Sequence, residues 1–195
     1  LQHRDYRWWF VGDAAGVTAV SLRAFVVPLF AFSLTQSTVL AGVVGTATQA
    51  LATFAALPGG VIIDRHDRRR LIQLYAASGL VIWGAITILT ATHRMSYPLF
   101  LVLASLGALL AGFFGFATDA ALRSIVTTTE YPQAAAANQG RDAAVGLASG
   151  PIGGFLFGIT AWLPFGTALA GYVVAGLATF GIRTDLTPPP YEQRT

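Results

Sequence analysis

Apolar residues fall along this chain in six long, nearly unbroken stretches, and not in the 3.6-residue stripes of a soluble amphipathic helix. The stretches run approximately over residues 9–31, 40–63, 71–91, 97–118, 143–160 and 163–182. Each matches the roughly 18–25 apolar residues that a helix needs to cross a bilayer core of about 30 Å. A run such as Leu99 to Ala117 carries no polar face that a soluble bundle could turn to water. Short connectors separate the stretches: Thr35-Gln36-Ser37-Thr38, Asp64 to Arg70, His93-Arg94-Met95-Ser96 ahead of Pro98, and a kink at Trp162-Leu163-Pro164. Only the segment from Asp119 to Asp142 reads as a long connector. The pattern predicts an all-α integral membrane protein, with a six-helix transmembrane bundle over residues 1–182 and a Pro-rich cytoplasmic linker over 183–195.

Composition agrees with that pattern. Of 195 residues, 54% are apolar and 11% charged, and mean hydropathy is +0.61, against about 25% charged in an ordinary soluble domain. The net charge of +3 comes from arginines spread along the chain, without the basic patch that nucleic-acid binding requires, so no nucleic-acid partner is expected. Cysteine is absent, which excludes disulfides and thiolate chemistry. The positions of the arginines then set an orientation, because basic residues of short loops stay in the cytoplasm. Arg4, Arg7, Arg65, Arg68, Arg69, Arg70, Arg123, Arg141, Arg183 and Arg194 fall on one side, Arg94 alone on the other. Both termini are therefore expected in the cytoplasm. The chain opens at Leu1 and its only methionine is Met95, and it closes soon after Pro188-Pro189-Pro190. These features lead to the expectation that a second half is missing.

The most specific local feature is Gly60-Val61-Ile62-Ile63-Asp64-Arg65-His66-Asp67-Arg68-Arg69-Arg70, in the tight loop between the second and third spans. A glycine at the helix end is expected to let neighbouring backbones approach, an aspartate to cap the next helix, and the arginines to pair across the loop. A plain positive-inside anchor needs the arginines only. In the fifth span Gly146, Gly150, Gly154 and Gly158 recur every four residues, with Pro151 beside the second. That spacing forms a slowly drifting flat stripe on which another helix can pack. Asp119 and Arg123 stand one turn apart and suit a local pair.

The loop resembles the hallmark of the major facilitator superfamily of secondary transporters, Gly-x-x-x-Asp-Arg/Lys-x-Gly-Arg-Arg/Lys. Gly60, Asp64, Arg65, Arg68 and Arg69 match it, and Asp67 replaces the second glycine. The acidic variant is similar to the branch of enterobactin and other siderophore exporters and of drug and macrolide efflux proteins. Val27-Pro28, Thr35 to Thr38, Ala137-Asn138 and the triple proline also fit that branch. The resemblance implies the amino-terminal six-helix half of a twelve-helix protein of the bacterial plasma (inner) membrane. It implies efflux of a small molecule, a siderophore or a drug, by alternating access with proton antiport, and a partner in the missing carboxy-terminal half or a second copy. It further implies that Asp119 holds Arg68, and that Gly146, Gly150, Pro151 and Gly154 stand for the antiporter motif, with Phe155 in place of its final glycine. The family's arginine motif in the fourth span has no counterpart between Tyr97 and Thr118, so proton coupling attaches to no residue. The alternative is a half-size transporter or a non-transporting membrane scaffold acting through oligomerisation.

Arg23 lies near the middle of the first span, where an unpaired charge costs at least about 2.5–3.5 kcal/mol. It must face a watery cavity or a carboxylate, or snorkel to the outer interface. Asp13, some 15 Å earlier on the same helix, is too distant to neutralise it. Arg23, Asp13, Thr46 and Gln49 are the candidates for a substrate or ion cavity, with Thr18, Ser21, Thr48 and Thr53 as weaker ones. An intramembrane hydrolase needs a nucleophile and a base inside the spans, yet His3, His66 and His93 all lie in the amino-terminal segment or in loops. No Gly-Lys-Ser/Thr phosphate loop and no metal-ligand cluster occurs, so neither enzyme activity nor a cofactor is expected.

The orientation carries a direct test in a chain free of cysteine. Single cysteines at Ser96 and Thr127 are expected to react with a membrane-impermeant maleimide from opposite faces. Labelling of both from outside would contradict six spans.

Overall fold

The computed structural model describes residues 4–187; the triple proline and Arg194 lie outside the described residues. Among the described residues all regular structure is helical: α1 (Arg4–Thr35), α2 (Thr38–Arg65), α3 (Arg68–Ala91), α4 (Tyr97–Phe114), α5 (Ala117–Ile125), α6 (Tyr131–Ile159) and α7 (Leu163–Gly181). Six units are long and apolar enough to cross a membrane, α4 and α5 counting together as one.

Local chemistry explains the boundaries. Ser37 caps α2 by accepting from the Leu40 amide at 3.3 Å, and Gln36 turns the chain with φ 54°. Asp67 caps α3, its Oδ1 accepting from the Arg69 amide at 2.9 Å. Proline occupies the first turn of α4, α6 and α7, where its missing N–H leaves nothing unsatisfied.

The segment from Asp119 to Asp142, expected to be a connector, is mostly helix. α5 and the first three turns of α6 occupy it, leaving only 126–130 between them. Its polar residues masked an Ala134 to Ala137 run of the best helix former. Arg141 consequently sits inside α6 and not in a loop.

α1 is the centre of the bundle: it packs along α7, and also touches α2 and α6, while α2 packs along α4 and α3 joins α7 to α4. Small residues bring backbones close in the two most extensive helix pairs. A Cβ on Gly171 of α7 would lie 2.7 Å from the Ala15 carbonyl oxygen of α1, and a Cβ on Gly112 of α4 only 2.3 Å from that of Ala52 in α2. One apolar cluster joins Phe30, Phe100 and Phe165 edge to face, with centroids 4.9 and 5.3 Å from Phe30, and Trp83 stacks on Phe165. A second, at the arginine-rich end, gathers Tyr6, Trp9, Ile72, Leu122, Ala134 and Ile182.

The glycine stripe of α6 does not seat a helix along its length. Nothing lies within 4 Å of a Cβ built on Gly146 or Gly158, whereas Gly150 and Gly154 meet the Phe25 ring of α1 at 3.8 Å. The closest approach is at Gly153, outside the stripe, 3.2 Å from Phe25 and Val26. Steps of four residues rotate about 40° beyond a full turn, so both ends of the stripe turn away from α1.

These contacts separate two kinds of glycine. Gly112→Ala forces a side chain into backbone and is expected to lower the thermal midpoint in detergent, since overpacking costs about 1–3 kcal/mol. Gly16→Ala, with nothing within 4 Å, should leave the midpoint unchanged or raise it. Equal midpoints for the two variants would refute the close approach of α2 and α4.

Candidate functional site

A groove of about 430 Å³ opens at the arginine-rich end, between the α1·α7 pair and the α2·α4 pair. α1 supplies Trp8, Asp13 and Ser21 to its walls, α2 Gln49 and Thr53, α3 Tyr75, α7 Thr179, and α5 Thr118 and Asp119. Gly12, Gly112, Ala52 and Ala178 complete it, so the small residues that allow close helix packing also leave its space. Its size is that of a small-molecule pocket, and apolar walls with a few polar groups are what such pockets show.

One charge network reaches the wall through Asp13. Asp13 of α1 accepts a hydrogen bond from Arg141 Nη2 of α6. The same guanidinium donates through Nη2 and Nε to Asp142 Oδ1 at 2.7 and 2.9 Å. The side chains of Asp13 and Arg141 are 9% and 12% exposed, against 44% for Asp142, so the pair across the helices is the buried one. The Phe10 ring lies 4.9 Å from the guanidinium, and Arg141 Nη1 is buried without a partner. Asp13 had no visible partner in sequence because its cation lies 128 positions away on a segment that reads as loop.

Arg23 does not line the groove. It is buried, donates Nε to the Ala19 carbonyl at 3.3 Å, and lays its guanidinium over the rings of Trp83 at 4.5 Å and Tyr172 at 5.5 Å. The aromatic faces meet the charge that was expected to require water, a carboxylate or the interface. Thr46 is exposed and also outside the groove. Thr18 and Thr48 return their hydroxyls to carbonyls of their own helices at 2.8 Å. Of the candidates, Asp13, Gln49, Ser21 and Thr53 are brought together; Trp8, Trp9, Tyr75 and Thr179 join them without a sequence signal beyond aromatic or polar character.

In the loop motif Asp67 caps α3 as expected, while the close backbone approach and the partner of Arg68 differ from the expectation. Gly60 has open space around it, and its neighbour Gly59 makes the close backbone approach, 2.6 Å from the Phe113 carbonyl oxygen to a built Cβ. A one-residue offset turns a helical position by about 100°, which sequence spacing alone cannot resolve. Asp64 is exposed in the last turn of α2, next to Arg65 at its final position. Arg68 donates Nη1 to Ser124 Oγ at 2.7 Å, five residues beyond Asp119 on α5, while Asp119 itself faces the groove. Arg69 donates Nη2 to the carbonyls of Ile182 and Thr184 at 2.6 and 3.1 Å, closing the open end of α7 with a cation. Asp5 accepts from the Arg183 and Thr184 amides at 3.0 and 2.7 Å, and Trp9 Nε1 donates to the Thr118 carbonyl at 2.9 Å. The arginine-rich end is thus tied by polar contacts where the helices emerge from the apolar core.

No family model, no curated protein and no solved structure matches the chain.

The buried pair predicts strong coupling. Removing one partner of such a pair costs about 3–5 kcal/mol because the other charge stays behind, whereas removing both restores neutrality. Asp13→Asn combined with Arg141→Gln should therefore be more stable to heat than Arg141→Gln alone. Additive losses in that double-mutant cycle would show that the two side chains do not meet.

Proposed function

We propose that the chain is one six-helix half of a secondary active transporter of the major facilitator type, exporting a small amphipathic molecule across a bacterial inner membrane. The observation that supports this reading most is the groove among membrane-length helices, with Asp13 on its wall paired to a buried Arg141 outside the lining. Ionisable residues within such helices are costly and mark substrate or ion pathways. Halves of this kind rock against each other around a central site, and the partner is the carboxy-terminal half or a second copy. The tied loop between α2 and α3, with Asp64, Arg65, Arg68 and Arg69, acts in that rocking and not in binding.

The position of Arg23 changes the substrate expectation. An arginine in the cavity would favour catecholate anions, but the groove holds Asp13 and Asp119 and no arginine. Such walls favour a neutral or cationic amphipath, a drug-like molecule before a catecholate siderophore.

Uptake into inverted vesicles of the complete transporter tests this reading. Fluorescent cationic dyes are expected to accumulate more than labelled catecholate siderophores. Gln49→Leu should change the ranking among dyes, while Arg23→Gln should depress every substrate alike through loss of packing. Failure of all substrates to accumulate would overturn the reading, and a siderophore-selective loss in Arg23→Gln would overturn the substrate class.

A further inference from the structure

We propose that Asp13 is a proton-binding site, and that its protonation hands Arg141 over to Asp142 and so releases α6 from α1. The proposal rests on the transporter reading for its purpose, and on the geometry of three side chains for its substance.

Arg141 is held by two carboxylates on different helices. Asp13 belongs to α1 and lines the groove, so water in the groove reaches it although only 9% of its side chain is exposed. Asp142 belongs to the same helix as Arg141, is their sequence neighbour, and already takes two of its N–H groups. A cation with a second anion on its own helix can leave the first without being stranded. Arg141 Nη1 has no partner, so no further hydrogen bond opposes a swing, and the Phe10 face at 4.9 Å is a weak restraint. The remaining charged neighbour of Asp13 is Asp119 of α5 on the same groove, and the titratable Tyr6 lies on its own helix and Tyr75 on α3. α2, α4 and α7 bring no titratable group to the groove. Of the three carboxylates, Asp13 alone ties two membrane-length helices together.

The step is a simple proton transfer. A hydronium ion in the groove gives its proton to a carboxylate oxygen of Asp13, forming an O–H bond and leaving water. The neutral acid no longer attracts the guanidinium as an ion, which stays with Asp142. The rest of the α1·α6 contact includes the seating of Phe25 and Val26 against Gly153 and the edge-to-face packing of Phe30 on Phe157, centroids 6.4 Å apart. The change in charge therefore removes the ion pair from a contact that otherwise includes apolar packing.

Spin labels on cysteines at Arg7 of α1 and Gln133 of α6, both exposed near the arginine-rich end, read the latch without any substrate. In nanodiscs of phosphatidylethanolamine and phosphatidylglycerol, the separation is expected to lengthen as pH falls. Asp13→Asn should hold the long separation at every pH, Asp13→Glu should restore a titrating change, and Asp142→Asn should shift the lengthening to lower pH. A pH-independent separation in the parent chain, or an unchanged pH response in Asp13→Asn, overturns the proposal. If Asp13→Asn fails to fold, loss of the pH response in Arg141→Gln supports the latch and its persistence overturns it. Movement as described with no substrate carried in vesicles leaves the latch standing and removes the transporter reading; transport without movement does the reverse.

Discussion

The closest backbone approaches in the bundle organise everything else in it. Between apolar helices there is little hydrophobic gain left to collect, so small residues that let backbones meet provide the contact energy. Here they form two rigid pairs, α1 with α7 through Ala15 and Gly171, and α2 with α4 through Ala52 and Gly112. Helices pressed together at those seams leave a gap between the two pairs, lined in part by glycine and alanine. That gap is the groove, and Gly12, Ala52, Gly112 and Ala178 belong both to the seams and to its walls.

Two intrahelical arginines show how differently an apolar interior can satisfy the same charge. Arg23 rests on the faces of Trp83 and Tyr172, both at least 98% buried, and its environment offers it one place to be. Arg141 rests between two carboxylates of unequal exposure, which offers it two. The first arrangement is a structural anchor, whereas the second permits a change of state. The chemistry of the neighbours separates them.

Much of the architecture was legible in the sequence because it follows from length and composition. Six apolar runs long enough to cross a bilayer correspond to six such helices, and turn residues such as Ser37 and Asp67 mark where two of them start. The site was less legible, since its geometry depends on helix phase and on contacts distant in sequence. Gly59 and Gly60 differ by one step yet face a backbone and open space. Arg23 was recognisable as a charge needing compensation, but aromatic compensation leaves no mark at fixed spacing. Asp13 and Gln49 were placed in a cavity by polarity alone, and both line the groove, whereas Thr46 has the same polarity and the wrong phase. Arg141 was missed as a site residue because the polar first turns of α6 resemble a loop.

The helix contacts of the bundle differ in kind. α1·α7 and α2·α4 are locked by backbone-to-backbone approach, and separating either pair would strip the closest contacts in the bundle. α6 is the least buried of the six long units, at 11% of its most apolar stretch, and it meets α7 only slightly. Its hold on α1 includes Phe25 over a glycine patch, Phe157 edge to face with Phe30, and the ion pair. Large exposed side chains such as Leu147 and Phe155 cover its outer face. The ion pair thus stands in the contact between the central helix α1 and the least buried of the long units.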